Sequence, residues 1–463
     1  MKFWNSKKSP GLKIIIVGCG KVGVALTEQL SNEGHDITLI DKNAARVQET
    51  ANLYDVMGIV GNGASYNVQL EAGIEQADLI ISVTSSDELN VLCCTIAKQA
   101  GDCAAIARIC SPDYTQDIAY LREKLGLTMI INPDLETARE IARILYLPTA
   151  LEVNSFAHGQ AEMIQFELPE MNVLANMSIA DLGKNISSEI LICAVEREGT
   201  VHIPNGSFVL QPHDTVSLLA SHRTIRQFLK KVGFKTKQVK DTLIVGGGKS
   251  SYYLAKQLIS MGIDVRIIEQ DAERCAELSI LLPEAVIINA DGTDQKVLRE
   301  EGLEQVESFV ALTGIDEENV MLTLYAKNVS ETKVITKINR MNFKNVIGNL
   351  NLGSVIYPRL ITSEAIIAYV RAKNNSMNSN IETLYHLFDS RVEAIEFRVD
   401  EASDVTNVPL MHLSLKDNLL VSCICRNGIT KIPSGQDSIQ VGDTVIVVTT
   451  HTGLVKLSDI LQV

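Results

Sequence analysis

With 463 residues, of which 56 are acidic and 42 basic, the chain carries a formal charge of −14. That length holds two to four ordinary domains, and that charge argues against a general nucleic-acid binder, which needs basic surface to displace phosphate counterions. The opening MKFWNSKKSPG has no apolar core before a cleavage site and no run approaches the ~18 apolar residues of a membrane span, so a soluble chain without a signal peptide is expected.

The first element is LKIIIVGCGKVGVALTEQL, residues 12–30. The β-branched run Ile14, Ile15, Ile16 and Val17 reads as a buried strand, and Val24, Leu26 and Leu30 carry a helical spacing. Between them stands Gly18-Cys19-Gly20-Lys21-Val22-Gly23, a G-x-G-x-x-G turn. Its first glycine permits the bend, the second lets a pyrophosphate approach the backbone, and the third lets the helix pack on the strand. The helix start then offers free N–H groups and a positive dipole end to phosphate. The second strand, HDITLID, ends in Asp41, about 18 residues beyond Gly23, close to the ~20 expected of the acid that binds an adenosine ribose. A carboxylate there accepts both ribose hydroxyls and repels a 2′-phosphate, which favours NAD(H) or an adenine nucleotide over NADP(H).

Further along, short apolar strands alternate with helical patterns, as in a doubly wound parallel sheet. NPDLETAREIARILY (132–146) opens with Pro133 at the first helical position and acids in the first turn. Leu135, Ala138, Ile141 and Leu145 line one face, an apolar stripe that needs a cover. ILICAVEREGTVHIPNGSFVL then alternates as strands do, with a hairpin expected at Glu198-Gly199. The lysine-rich stretch 226–241 reads as a solvated linker. Nine cysteines fall mostly in apolar patterns without a C-x-x-C pair, which predicts reduced core residues; Cys423 and Cys425 should share one face of a strand. Eight histidines are scattered, without metal-ligand spacing.

The chain then repeats itself. DTLIVGGGKSSYYLAKQL places Gly246 about 228 positions after Gly18, and DVRIIEQD places Glu269 on Asp41. Thr84, Asp87 and Asn90 recur as Thr313, Asp316 and Asn319; Pro204, Gly206 and Asp214 recur as Pro433, Gly435 and Asp443. The predicted fold class is α/β: two tandem Rossmann-like doubly wound parallel-sheet domains, each followed by a crossover helix and a small α+β lobe. The boundaries are a nucleotide lobe at 11–131, a crossover helix at 132–150, a small lobe at 151–225 and a linker at 226–240. The second half follows with a nucleotide lobe at 241–356, a helix at 357–375 and a small lobe at 376–463.

The glycine turn, the terminal acid, GNGAS, VTSSDELN, IARICSPDY and the small β lobe together resemble the TrkA family, the cytosolic nucleotide-binding subunits of bacterial Trk potassium uptake systems. Each half is similar to an RCK (regulator of potassium conductance) unit, and the resemblance runs from about residue 11 to the end. It implies a peripheral cytoplasmic subunit that gates an integral-membrane Trk-type potassium transporter according to bound NAD(H) or ATP/ADP. It also implies a homo-oligomer of four chains; the charge already speaks against a nucleic-acid partner, and the scattered histidines assign no metal. By the same resemblance Gly18, Cys19, Gly20, Lys21, Val22 and Gly23 cradle the diphosphate, Asp41 holds the ribose, Thr84 and Ser85 line the pocket, and Arg108 reaches phosphate.

Gly246, Gly247, Gly248, Lys249, Ser250 and Glu269 mark the second site. That half departs from the pattern in two places: Ser251 replaces the third glycine, which should loosen the helix–strand contact, and Lys337 replaces the forked Arg108 with a point charge. The two halves are therefore expected to bind different ligands, or the first alone to respond. The alternative is an NAD-dependent dehydrogenase. It lacks a substrate domain here, and His158, His202 and His213 have no matching positions in the second half, so no catalytic residue is assigned.

Overall fold

The computed structural model describes residues 11–115, 118–147, 149–185, 189–234, 237–340, 344–348, 350–374, 381–388 and 391–462. The chain divides into two compact units, one of residues 1–137 with 357–367 and the other of 138–356 with 368–463. The opening of the second crossover helix, Pro358–Asn374, thus belongs with the first nucleotide lobe, and most of the first, Pro133–Tyr146, belongs with the other unit.

In the first unit six parallel strands form one sheet: β1 (Lys13–Val17), β2 (Asp36–Asp41), β3 (Met57–Val60), β4 (Leu79–Ser82), β5 (Ala104–Arg108) and β6 (Met129–Ile131). Their order is β3-β2-β1-β4-β5-β6, so the chain reverses direction across the sheet between β1 and β4. That crevice at the carboxyl ends of the strands is where open α/β sheets bind ligands. Ile14, Ile16, Leu39 and Ile80 are fully buried, as parallel strands covered on both faces require.

The second unit contains three sheets. The first small lobe comprises β7 (Glu152–Phe156), β8 (Ala161–Glu167), β9 (Leu191–Arg197), β10 (Thr200–His202) and β11 (Thr215–Ala220), antiparallel in the order β10-β9-β11-β8-β7. β9 and β10 meet through a two-residue turn at Glu198 and Gly199, both in the left-handed region at φ 49° and 78°. This is the expected hairpin, with the positive-φ pair that a tight right-twisted connection demands. The second nucleotide lobe repeats the first sheet with β12 (Asp241–Val245), β13 (Asp264–Glu269), β14 (Val286–Asn289), β15 (Ser308–Ala311), β16 (Lys333–Lys337) and β17 (Ser354–Ile356), in the order β14-β13-β12-β15-β16-β17. The second small lobe holds β18 (Ile381–Leu387), β19 (Val392–Arg398), β20 (Leu419–Arg426), β21 (Ile429–Lys431) and β22 (Thr444–Thr449), in the order β18-β19-β22-β20-β21.

The two small lobes share one core. Phe156, Met163 and Cys193 of the first pack in a single cluster with Phe388, Cys423 and Val448 of the second. The polar contacts around it are reciprocal. Gln160, in the β7–β8 turn, accepts from Cys425 Sγ at 3.1 Å beside Gly428. Arg391, in the β18–β19 turn, donates to Glu196 and to the Gly199 carbonyl. The turn of each lobe thus clasps the hairpin of the other, a pseudo-two-fold pairing inside one chain.

Three expectations change. The stretch 226–240 is no simple linker: its start completes the helix His222–Lys231, where Ile225, Phe228 and Leu229 are buried at helical spacing while the lysines face outward. The lysines masked that spacing. The helix Pro133–Tyr146 buries more than one stripe, since Ala142 and Ile144 are as enclosed as Ala138, Ile141 and Leu145. Ile366, Ile367 and Val370 of the second crossover helix are likewise buried, so both stripes are covered within a single chain and by themselves call for no second copy. The cysteines are free thiols, eight buried and Cys425 half-buried, and Cys423 and Cys425 do lie on the same face of β20.

Candidate functional site

The first glycine turn is built against the neighbouring loop. Gly18 stands at φ 108°, and a Cβ there would lie 3.1–3.2 Å from the backbone of Val83 and Thr84. Only glycine suits both the conformation and the close approach. At Gly23 a Cβ would fall 1.9 Å from the Gly18 carbonyl, so the third glycine lets the helix Lys21–Asn32 sit directly on the turn. Gly20 differs, because its missing Cβ would meet nothing within 4 Å. The turn presents bare backbone to open space there. The N–H groups of Gly20, Lys21, Val22 and Gly23 have no acceptor among the described residues, and the helix has no acid in its first turn to neutralise its positive end. Lys21 is exposed at its start.

Asp41 closes the other side. Its Oδ2 accepts from the Cys19 N–H at 2.7 Å and its Oδ1 from Asn43 at 2.8 Å, which fixes the carboxylate at the lip of the turn. The Cys19 thiol is pushed up to about 12, first by burial and then by Asp41, so it is an inert neighbour rather than a nucleophile. Thr84 and Ser85 lie on the opposite loop, Thr84 half-buried and Ser85 exposed. Arg108, at the end of β5, donates from Nη1 to the Thr84 carbonyl at 3.0 Å, while its Nε is buried without a partner. An unpaired buried guanidinium N–H is costly unless an acceptor arrives.

Asn90, which the sequence shows only as a position repeated in Asn319, organises the loop opposite the turn. Its Oδ1 accepts from Thr84 N (2.8 Å), Thr84 Oγ1 (2.7 Å) and Ser82 Oγ (3.0 Å), and its Nδ2 donates to the Arg108 carbonyl at 2.9 Å. One amide ties the ends of β4 and β5 together and so aims Thr84 and Arg108. Asp87 accepts from the N–H groups of Cys110 and Ser111, at 2.9 and 2.7 Å, and anchors the loop beyond. Gly63, within GNGAS, is required because a Cβ would meet Val17 Cγ1 at 2.3 Å. Recurrence of Asn90 as Asn319 and of Asp87 as Asp316 was the available signal.

The second site repeats this frame with different side chains. Gly246 stands at φ 101° against Leu312 and Thr313, and Gly248 faces open space as Gly20 does. Gly247 donates to Glu269 Oε2 at 2.6 Å, matching Cys19 and Asp41. Lys249 is exposed and Ser250 buried at the start of the helix Lys249–Ser260. Asn319 ties Thr313 to the Lys337 carbonyl, and Lys337 Nζ donates to the Leu312 carbonyl at 3.1 Å. Ser251 does not simply loosen the contact. It is fully buried, and its Oγ donates to the Gly246 carbonyl, replacing close packing by a hydrogen bond. Arg274 also donates from Nε to the Gly247 carbonyl at 2.7 Å, so the second turn is held by an arginine of its own lobe. Its counterpart Arg46 is exposed.

The first turn therefore fits a ribose–diphosphate: bare N–H groups at a helix start, a carboxylate at ribose position and one orphaned guanidinium N–H. Among the described residues no group of three or more His, Cys, Asp and Glu could hold a metal ion, and no helix is long and apolar enough to cross a membrane.

Comparison with known proteins gives concordant results. Residues 14–133 and 242–358 match the TrkA-N domain family, and residues 163–233 match the TrkA-C domain family. A Methanosarcina mazei protein named Trk system potassium uptake protein TrkA homolog 1 is 30% identical over 444 residues, covering 94% of this chain and 97% of its own. The Trk system potassium uptake protein TrkA of Haemophilus influenzae is 28% identical over 440 residues, covering 94% and 95%. Among solved structures, the GsuK RCK domain superposes with a TM-score of 0.64 at 15% identity, covering 95% of this chain and 92% of that one. The GsuK channel bound to NAD gives 0.63 at 15% identity, covering 95% and 77%.

Proposed function

The chain belongs to the TrkA family of potassium uptake proteins, and on that premise we propose that it is a nucleotide-sensing peripheral subunit on the cytoplasmic face of the membrane, where it gates a Trk-type potassium-translocating partner. Membership of a potassium-uptake family, in place of a dehydrogenase one, removes the oxidoreductase alternative. The observation that carries the proposal is the first glycine turn. Its bare N–H groups and Asp41 lie at the lip of the turn, and Arg108 is tied to Thr84 on the facing loop, with a buried Nε that lacks a partner. Such a site can bind and discriminate without turning over, and a ligand that contacts two conformations unequally shifts their balance.

On this reading the diphosphate lies on Gly18 to Gly23, the ribose on Asp41, and Thr84, Ser85 and Arg108 read the remaining phosphate. NAD(H), ADP and ATP all satisfy the first two contacts; Arg108 favours the ligand with more phosphate charge. The GsuK channel, of like fold, binds NAD, which supports the same ligand class here. Gly246 to Ser250 with Glu269 form a second, stiffer site. Four chains assembling as a ring of eight lobes would sum small changes at many crevices into one pull on the membrane partner. Exposed Leu92 and Met321, at matching positions on the helices Asp87–Ala100 and Asp316–Val329, give such a ring apolar surface to bury. Beside Met321 lies a hollow of about 250 Å³ lined by Val320, Ile347 and Leu350.

The test is calorimetric titration of the purified chain with NADH, ADP and ATP, followed by potassium flux through the reconstituted membrane subunit with and without the chain. Failure to bind any of the three, or flux indifferent to the chain, would end this reading.

A further inference from the structure

Lys333 opens β16 in the second nucleotide lobe. Its side chain is half-buried, and among the described residues its amine pairs with no acid. It donates to the carbonyl of Ala150 at 2.5 Å, across 183 positions of chain, at the point where the first crossover helix has ended and the chain enters the first small lobe. Ala150 is fully enclosed, and its N–H returns to Leu147 at 2.9 Å; the next N–H, of Leu151, donates to Gln165 on β8 at 2.7 Å. Beside Lys333, the hydroxyl of Thr332 is buried without a partner. The junction between nucleotide lobe and small lobe is thus a close contact that leaves one buried hydroxyl unpaired.

The charged groups near this amine can be named element by element. From the chain after the first crossover helix, Ala150 offers it a backbone carbonyl, and the next acid, Glu152 at the start of β7, accepts from Asn154 Nδ2. The helix Asp316–Val329 contributes Lys327, whose Nζ is itself engaged with Asn351 and whose charge adds repulsion. Glu307, ahead of β15, gives its backbone carbonyl to the Lys333 N–H, while its carboxylate accepts from Lys240. Glu331, two residues upstream, is exposed. No carboxylate pairs with Lys333 among the described residues. At the matching position of the first nucleotide lobe stands Ala104, so the device belongs to the second lobe alone.

We propose that Lys333 is a pH-dependent latch: neutral, it fastens the second nucleotide lobe to the exit of the first crossover helix, and protonated, it has no counter-charge there and the junction loosens. A buried ammonium with no partner is among the costlier groups to enclose. Burial, with Lys327 behind it, brings the amine down to about 7. The sign follows from that depression. The released state, with an ordinary lysine, holds its proton to far higher pH, so the latched state binds fewer protons and gains on the released one as pH rises above 7. Below 7 both states are protonated and the preference levels off. Between pH 7 and 8 the latched-to-released ratio should rise about fivefold.

The latch can be read by hydrogen exchange on the full chain at the amides of Ala150 and Leu151, corrected for the intrinsic pH dependence of amide chemistry. Wild type is expected to gain about fivefold protection from pH 7 to pH 8. Lys333→Met, neutral throughout, should hold one protection level at both values. Lys333→Arg, charged throughout, should hold a lower and equally constant level; if it fails to fold, the comparison of wild type with Lys333→Met still decides. A wild-type profile as flat as that of Lys333→Met overturns the proposal, and so does a pH-dependent gain that persists in Lys333→Met.

Discussion

Replacing Gly23 by alanine tests the nucleotide crevice at the point where geometry leaves least room. A Cβ at this position would sit 1.9 Å from the Gly18 carbonyl oxygen, about 1 Å inside the closest approach real Cβ atoms make. The neighbour is backbone on the tightest part of the turn, so the start of the helix Lys21–Asn32 must retreat by roughly 1 Å. Overpacking of this kind costs about 1–3 kcal/mol of stability. The retreat also draws the free N–H groups of Lys21 and Val22 away from any phosphate. Hydrogen bonds to a charged group are each worth about 1.5–3 kcal/mol, so losing the equivalent of one should weaken ADP or NADH binding by about 2–3 kcal/mol, roughly 30- to 150-fold. Calorimetry on Gly23→Ala, with a thermal melt to confirm folding, measures both quantities. The reciprocal variant Ser251→Gly removes one buried hydrogen bond and should cost about 1 kcal/mol of stability. A folded Gly23→Ala protein that binds within about threefold of wild type would refute the claim that this helix start holds the phosphates.

Asp41→Ala should weaken all adenine nucleotides at the first site by about 10- to 100-fold, since it removes the ribose acceptor and frees the Cys19 N–H; equal affinity in the calorimeter would move the ribose elsewhere. Arg108→Ala should weaken ATP more than NADH, and a uniform loss would show that Arg108 only braces Thr84. Arg426→Ala leaves Asp443, 1% exposed, without its bidentate partner and should destabilise the second small lobe by about 1–2 kcal/mol, since Arg426 itself is partly solvated, seen as a lower unfolding midpoint in urea. For Glu393, burial works against the charge, but His386 and Arg371 hold its carboxyl below the ordinary glutamate range. Its contribution is therefore present above the ordinary value and lost as pH falls through the depressed one. The acid limb of the stability profile below about pH 4 should flatten in Glu393→Gln, and an unchanged limb would exclude this pair as its source.

What the sequence disclosed and what it concealed separate along physical lines. The run Ile14 to Val17, the turn at Gly18 and the acid at Asp41 were legible because each is a local demand: β-branching for a buried strand, glycine for positive φ, a carboxylate at a strand end. The hairpin at Glu198-Gly199 was legible for the same reason. The helix His222–Lys231 was hidden because its lysines dominate the composition while only Ile225, Phe228 and Leu229 face inward. Ser251 misled because its cost was judged by volume, whereas its hydroxyl finds the Gly246 carbonyl. The joint role of Asn90 could not be read from spacing, because its three partners, Ser82, Thr84 and Arg108, come from β4, β5 and the loop between β4 and the helix that carries it, contacts that exist only after the sheet has formed.

The clasp between the two small lobes has an evolutionary reading. Had both halves kept the same residues there, each lobe could pair with its own duplicate as readily as with its sister. Instead one arm is charged, Arg391 with Glu196, and the other neutral, Gln160 with Cys425. In a pairing of two second halves, Arg391 would find a thiol where it needs a carboxylate; in a pairing of two first halves, Glu196 would face an amide and lose its cation. Lobes joined in one chain have no obligation to be self-complementary, and the seam here is asymmetric, a lock and a key. Cut at the peptide between them, the halves should still choose each other over themselves.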